Sequence, residues 1–340
     1  MQLKLQPTDR IVCKGNRQLN NLHILKGIAA IMVVCIHAAG TLPAWIEGIT
    51  RYGVVGFLMI TGYFLPDARG TLHKERIKHD LRKIVEIAVA AQLLYISYHL
   101  ASCLFYAGRF EERFLNLHNW LDLLLFGRYF GYQLWYLHAV ALALATLWLL
   151  VRWRMEGLVY LIAFIGPVAN LALGSYHFLY SDAVLSPFAS RNFLTIGLPG
   201  LAMGIWTRRN ERLLPSARTL SVVFALLLVA SLVECHAIID IKSRGDIMVM
   251  TLPGVMAWFA LMLRLPQASV ANPLVALGRD HSINIYIFHV MVIFLLYDLP
   301  PVRAVWDSFY FWLMPVTVLL SLGLSRLIVG RGLRVRTRLA

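Results

Sequence analysis

Apolar residues in this chain come in runs of about twenty, separated by short polar stretches in which arginine and lysine are frequent. Wound as a helix, a run of that length spans the roughly 30 Å hydrocarbon core of a bilayer. The pattern predicts ten such helices, over about residues 22–42, 53–66, 84–107, 133–151, 157–174, 191–206, 219–238, 246–264, 282–299 and 308–328. The second and sixth are short for a full crossing. The expected fold class is all-α, a polytopic membrane bundle of about ten transmembrane helices. A tail over 1–21, one transmembrane domain over 22–330 and a basic tail over 331–340 complete the organisation. No loop is long enough to fold alone. In the longest outer loop, Gly108 to Gln133, residues Leu117, Trp120, Leu121 and Leu124 fall at i, i+3, i+4 and i+7. That spacing predicts an amphipathic helix lying in the membrane interface.

Composition agrees with the pattern. Of the 340 residues 59% are hydrophobic and 15% charged, against roughly 25% charged in soluble globular chains. The net charge of +14 would suggest a nucleic-acid partner in a soluble protein. Distributed over the predicted topology, however, twenty-three Lys and Arg fall on one side and eight on the other, with Lys26 inside the first span. That asymmetry predicts both termini in the cytoplasm and explains most of the charge without nucleic acid. The first span reads as an uncleaved signal anchor, because no cleavage-site pattern precedes it. Four cysteines without a CxxC pair read as free, small core residues. The eleven histidines form no HExxH motif, so no metal is expected. No Gly-rich nucleotide-binding motif occurs. "TGYF" and "GLPG" read first as small-residue packing or kink sites.

The first span carries the chemistry. It reads "LKGIAAIMVVCIH", with a lysine at its start and a histidine at its end. Eleven residues turn an α-helix by about 1100°, three turns plus about 20°, so Lys26 and His37 share one face about 16 Å apart. A lysine near a helix end can snorkel to the interface, whereas an imidazole past the membrane midplane needs a partner or a cavity. Either the two residues are interfacial and structural, or they mark the ends of one buried channel.

The same stretch resembles the opening of the membrane acyltransferase type 3 family, in which Arg, ten residues and His are embedded in a pattern like "LRGIAALLVVLYH". Here lysine replaces the arginine. "VGFLMITGYF", "LWYLHAV", "RNFLTIGLPGLAMG" and "LGRDHSINIYIFHVMV" resemble later family segments in the family's order, so the resemblance covers about residues 22–330. It implies transfer of an acyl group, usually acetyl from cytoplasmic acetyl-CoA, to a hydroxyl of a cell-surface carbohydrate such as O-antigen, an exopolysaccharide or a lipid-linked precursor. It also implies a multi-pass protein of the bacterial inner membrane. Lys26 would contact a CoA phosphate, as a point charge without the arginine fork. His37 would act as general base or accept the acyl group itself.

Arg76 and Arg82, with Lys78 and Lys83, are candidates for the CoA nucleotide, although topology alone would put charges there. Trp135, Tyr136, His138, Arg191 and His289 are candidates for acceptor binding, each also readable as an interface or packing residue. Glu234, His236 and Asp240 raise the chance of a carboxylate orienting an imidazole. Two other classes use the same polar residues: a transporter of lipid-linked sugar, or a non-catalytic subunit of a polysaccharide synthase.

Overall fold

The computed structural model describes residues 19–38, 48–105, 110, 114–181, 187–239, 247–298 and 312–330. Most of the two predicted tails, and Asp240, lie outside them. The regular secondary structure of the described residues is all helical, with no strand. The helices are α1 (Asn20–His37), α2 (Tyr52–Phe64), α3 (Lys74–Phe105), α4 (Leu117–Phe126), α5 (Trp135–Arg152), α6 (Leu158–Leu173), α7 (Leu198–Arg209), α8 (Ala217–Ile239), α9 (Thr251–Arg264), α10 (Ser282–Asp298) and α11 (Leu313–Gly330). Each predicted span overlaps one helix, and α4 falls on the predicted interfacial segment. The stripe of Leu117, Trp120, Leu121 and Leu124 on α4 is exposed. Asn116 caps that helix by accepting from His118 N–H at 2.9 Å, and Gly127 ends it at φ 68°.

Among the described residues six stretches are long and apolar enough to cross a membrane: Asn20–His37, Lys74–Leu104, Tyr132–Arg152, Ala217–Ala237, Pro273–Asp298 and Leu313–Gly330. The other four predicted spans are shorter helices, of 13 (α2), 16 (α6), 12 (α7) and 14 (α9) residues. The reason is physical. Hydropathy measures apolarity, not what covers it. Ten residues of α2 are buried, and α2 is enclosed by α1, α7 and α9, so its apolar face meets protein. By contrast Val222, Leu226, Val229 and Val233 of α8 are exposed along one stripe, as on a helix that faces lipid.

Small residues let the central helices touch. A Cβ on Gly62 of α2 would lie 2.1 Å from the Leu201 carbonyl oxygen, and one on Gly204 of α7 would lie 2.1 Å from that of Met59. This is the close backbone approach that the glycine of "TGYF" allows. Asn21, at the start of α1, donates through Nδ2 to the carbonyls of Met262 and Pro266, both at 3.1 Å. The start of α1 therefore shares one end of the bundle with the C-terminal ends of α9, α2 and α7. His37, Arg51 and the start of α5 share the opposite end.

Candidate active site

At that opposite end a cavity of about 340 Å³ is lined by His37, Arg51, Tyr132, Trp135, Tyr136, Arg191 and Tyr286, among others. The His37 ring lies 4.9 Å from the Tyr132 ring and 5.1 Å from the His289 ring, centroid to centroid. Its nitrogens make no hydrogen bond among the described residues. His289, on α10, is fully buried, and its Nδ1–H donates to the Ile285 carbonyl at 3.1 Å. That bond fixes the tautomer: Nε2 is the acceptor, and it is buried without a partner.

The walls are held by local chemistry. Asn192 Oδ1 accepts from the N–H groups of Leu194 and Thr195 at 2.9 and 3.1 Å, capping a π-helical turn over Phe193–Gly197 that leads into α7. The cap fixes the backbone beside Arg191, and the turn brings Ile196 to the cavity. Single π turns recur at functional sites because they re-aim side chains. Across the cavity, the Tyr286 hydroxyl donates to the Gln133 carbonyl. Gln133 Nε2 donates to Tyr95 Oη at 2.6 Å, and Tyr95 donates to the Ile287 carbonyl at 2.8 Å. This buried chain ties α3, the turn before α5 and α10 together.

Lys26 is 7% exposed and lines a second, narrow cavity of about 50 Å³ with Thr61, Ser282 and several apolar side chains. Tyr136 and Tyr286 line both cavities, with their rings 5.5 Å apart. Behind Lys26, α1 lies directly against a second π turn, Leu277–His281.

The structure thus gathers His37, Trp135, Tyr136 and Arg191 on one cavity, with His289 against His37 and Lys26 on the adjoining slot. Three predicted residues are not gathered. Arg76 is exposed on α3. Arg82 is exposed and paired with Glu86 at 2.8 Å, one turn along the same helix. Neither lines the Lys26 cavity. His138 packs against Gly127, whose Cβ would lie 2.8 Å from that of His138, so it supports the end of α4 and does not line the cavity. Glu234 does not orient an imidazole either: it accepts from the Tyr176 hydroxyl and from the N–H groups of Val249 and Met250 at 2.7 and 2.9 Å. Arg51, Tyr132, Gln133 and Tyr286 escaped the sequence reading. For Arg51 a signal existed, since it is one of the few cations on the side that the predicted topology leaves poor in them.

A multi-pass helical membrane protein that holds an unbonded imidazole and two arginines around one internal cavity has the machinery for proton transfer and for stabilising negative charge on a polar substrate. A family model described as "Acyltransferase domain", that of the type 3 acyltransferases, matches residues 19–329, and the chain belongs to this family of acyltransferases. No curated protein and no solved structure matches the chain.

Proposed function

We propose that this chain is an O-acetyltransferase of the bacterial inner membrane, with ten membrane-embedded segments and both termini cytoplasmic, that moves acetyl from acetyl-CoA to a hydroxyl of a cell-surface carbohydrate. The observation that carries the reading is that Lys26 and His37, on one face of α1, open onto two cavities with Tyr136 and Tyr286 as a common wall. A phosphate held near Lys26 leaves a flexible arm about the length of that helix face to bring a thioester to His37.

The chemistry balances within these residues. His37 takes the proton of the acceptor hydroxyl as its oxygen attacks the thioester carbonyl carbon. Arg51 and Arg191, on the same cavity, favour the negative charge that develops on the carbonyl oxygen. The C–S bond then breaks, and the imidazolium returns its proton to the CoA thiolate. An N–H of His37 turned toward the acceptor Nε2 of His289 would hold the ring for this exchange.

The test uses detergent-purified protein with acetyl-CoA and an extract of lipid-linked sugars, scoring CoA release and product mass. Wild type should yield an acetylated product and His37→Ala none. Lys26→Ala should raise KM for acetyl-CoA about tenfold, and Arg51→Gln should lower kcat about 100-fold. If all variants behave as wild type, or a lipid-linked sugar crosses vesicles without CoA release, the reading fails in favour of transport.

A further inference from the structure

At the end of the bundle that holds the start of α1, a cavity of about 720 Å³ opens among Arg69, Arg208, Arg209, Arg212 and Arg264, with Glu211 the one carboxylate on its wall. Two of these guanidiniums are matched by carboxylates. Arg208 bonds Glu211 and the Tyr63 hydroxyl, both at 3.2 Å, and Arg209 pairs with Glu156 at 3.0 Å. Three are not. The side chains of Arg69 and Arg212 make no hydrogen bond or ion pair among the described residues. Arg264 donates through Nη2 to the carbonyls of Glu211, Arg212 and Leu214, at 3.2, 3.4 and 2.6 Å. Its Nε–H is buried without a partner.

Topology explains why arginines are numerous at this end, but not this arrangement. Charges placed only by sidedness spread into solvent, whereas Arg264 is fixed by three carbonyls with a buried donor left over, and buried donors are ordinarily bonded. Among the described residues the cavity wall also carries no large apolar side chain, which disfavours an acyl tail or a sterol as its occupant. We infer that this cavity binds an anion carrying two or more phosphate groups, held by Arg69, Arg212 and Arg264. Guanidinium groups suit phosphate oxygens through paired N–H donors, and the volume is that of a small-molecule site.

Two sources supply such an anion: the nucleotide end of a CoA thioester and the headgroup of a diphosphate lipid such as cardiolipin. The placement favours the nucleotide, a choice that rests on the acyl-CoA reading above. Thr61 lines the Lys26 slot, and Tyr63, about 3 Å further along α2, bonds Glu211 and Arg208 on the wall of the arginine cavity. The slot and the cavity are neighbours at one end of the bundle.

The experiment is calorimetry on the full-length protein in micelles free of anionic lipid, titrated with CoA, with 3′-phosphoadenosine 5′-phosphate and with pyrophosphate. The variants are the double substitution Arg69→Gln/Arg212→Gln, which removes no observed contact, and Arg82→Gln as a charge control elsewhere. The inference expects all three probes to bind wild type, to weaken about tenfold or more in the double variant through loss of two charge-assisted contacts, and to be unchanged in Arg82→Gln. Native mass spectrometry after exposure to cardiolipin vesicles supplies the lipid arm. Loss of bound cardiolipin from the double variant, with CoA binding intact, keeps the site and assigns it to lipid. If neither the soluble probes nor cardiolipin distinguish the double variant from wild type, the inference is overturned. Turnover separates this outcome from failure of the proposed function. Acetyl transfer by a double variant that binds every probe normally rejects the site alone. A wild type that transfers nothing, yet loses pyrophosphate binding on double substitution, rejects the acyltransfer reading and retains the site.

Discussion

Replacing Gly278 by alanine adds one methyl group at the contact between α1 and the π turn before α10. The new Cβ would lie 1.7 Å from the His23 carbonyl oxygen, 2.7 Å from its carbon and 2.8 Å from Gly27 N. Carbon atoms pack comfortably at about 3.5 Å, so the two backbones must part by roughly 1.5–2 Å. Overpacking of this kind costs about 1–3 kcal/mol, and both partners here are backbone, which places it at the upper end. Alanine's better helix propensity returns about 1 kcal/mol, leaving a net loss of about 2 kcal/mol. Gly323→Ala on α11 is the matched control, because a Cβ there meets nothing within 4 Å; it should be neutral or gain up to about 1 kcal/mol. Tryptophan fluorescence during SDS-driven unfolding in mixed micelles reads both, with nine tryptophans as reporters. Gly27 adjoins Lys26, so Gly278→Ala should also raise KM for the acyl donor more than it lowers kcat. Equal stability of the two variants would refute the packing argument.

Two further outcomes follow from contacts on either side of the bundle. Asp67, in the exposed loop after α2, accepts from the N–H groups of Arg69 and Thr71 at 2.8 and 2.9 Å and bonds His73 Nε2 at 2.9 Å. The hydrogen bond from His73, then those from the backbone, lower its pKa to about 2. A carboxylate depressed in this way holds the loop above its unfolded pKa of about 4 and releases it as pH falls toward 2. Carboxyl carbon NMR should therefore find a midpoint well below 4 in wild type and one closer to 4 in His73→Gln. Gln133→Leu removes the bond to Tyr95 and should cost about 1 kcal/mol in the same unfolding assay; a change in kcat without a change in stability would contradict its structural role.

The helices were legible because apolar runs and their polar breaks are local. So was α4, whose stripe has the right period and whose Asn116 and Gly127 supply its cap and stop. What covers each run was not legible: α2 and α8 read alike as apolar, yet one is enclosed by protein and the other presents valines and leucines outward. The site divides in the same way. Lys26 and His37 could be placed on one face because a single helix sets their spacing. His289 and Arg191 could be nominated only as buried or interfacial polar residues. Arg51, Tyr132 and Tyr286 share a cavity with His37 through packing between distant segments, which periodicity does not encode. For Arg82 the sequence could give the end of the bundle but not the partner, which is Glu86 on the same exposed helix face.

The two tyrosines between the cavities have an electrical consequence. In an energised bilayer each elementary charge that leaks across releases about 2.3 kcal/mol per 100 mV. A protein hollowed from both ends along one helix therefore risks becoming a wire for protons. Tyr286 is anchored through its hydroxyl to the Gln133 carbonyl, and its ring meets those of Tyr136 and His289 at 5.5 and 6.1 Å. Tyr136, between Phe57 and Tyr286, closes the other half of the partition. Those rings stand where the Lys26 slot meets the His37 cavity, so an acyl-donor arm reaching from one to the other has to pass them, and their packing is what limits a proton path along the same route.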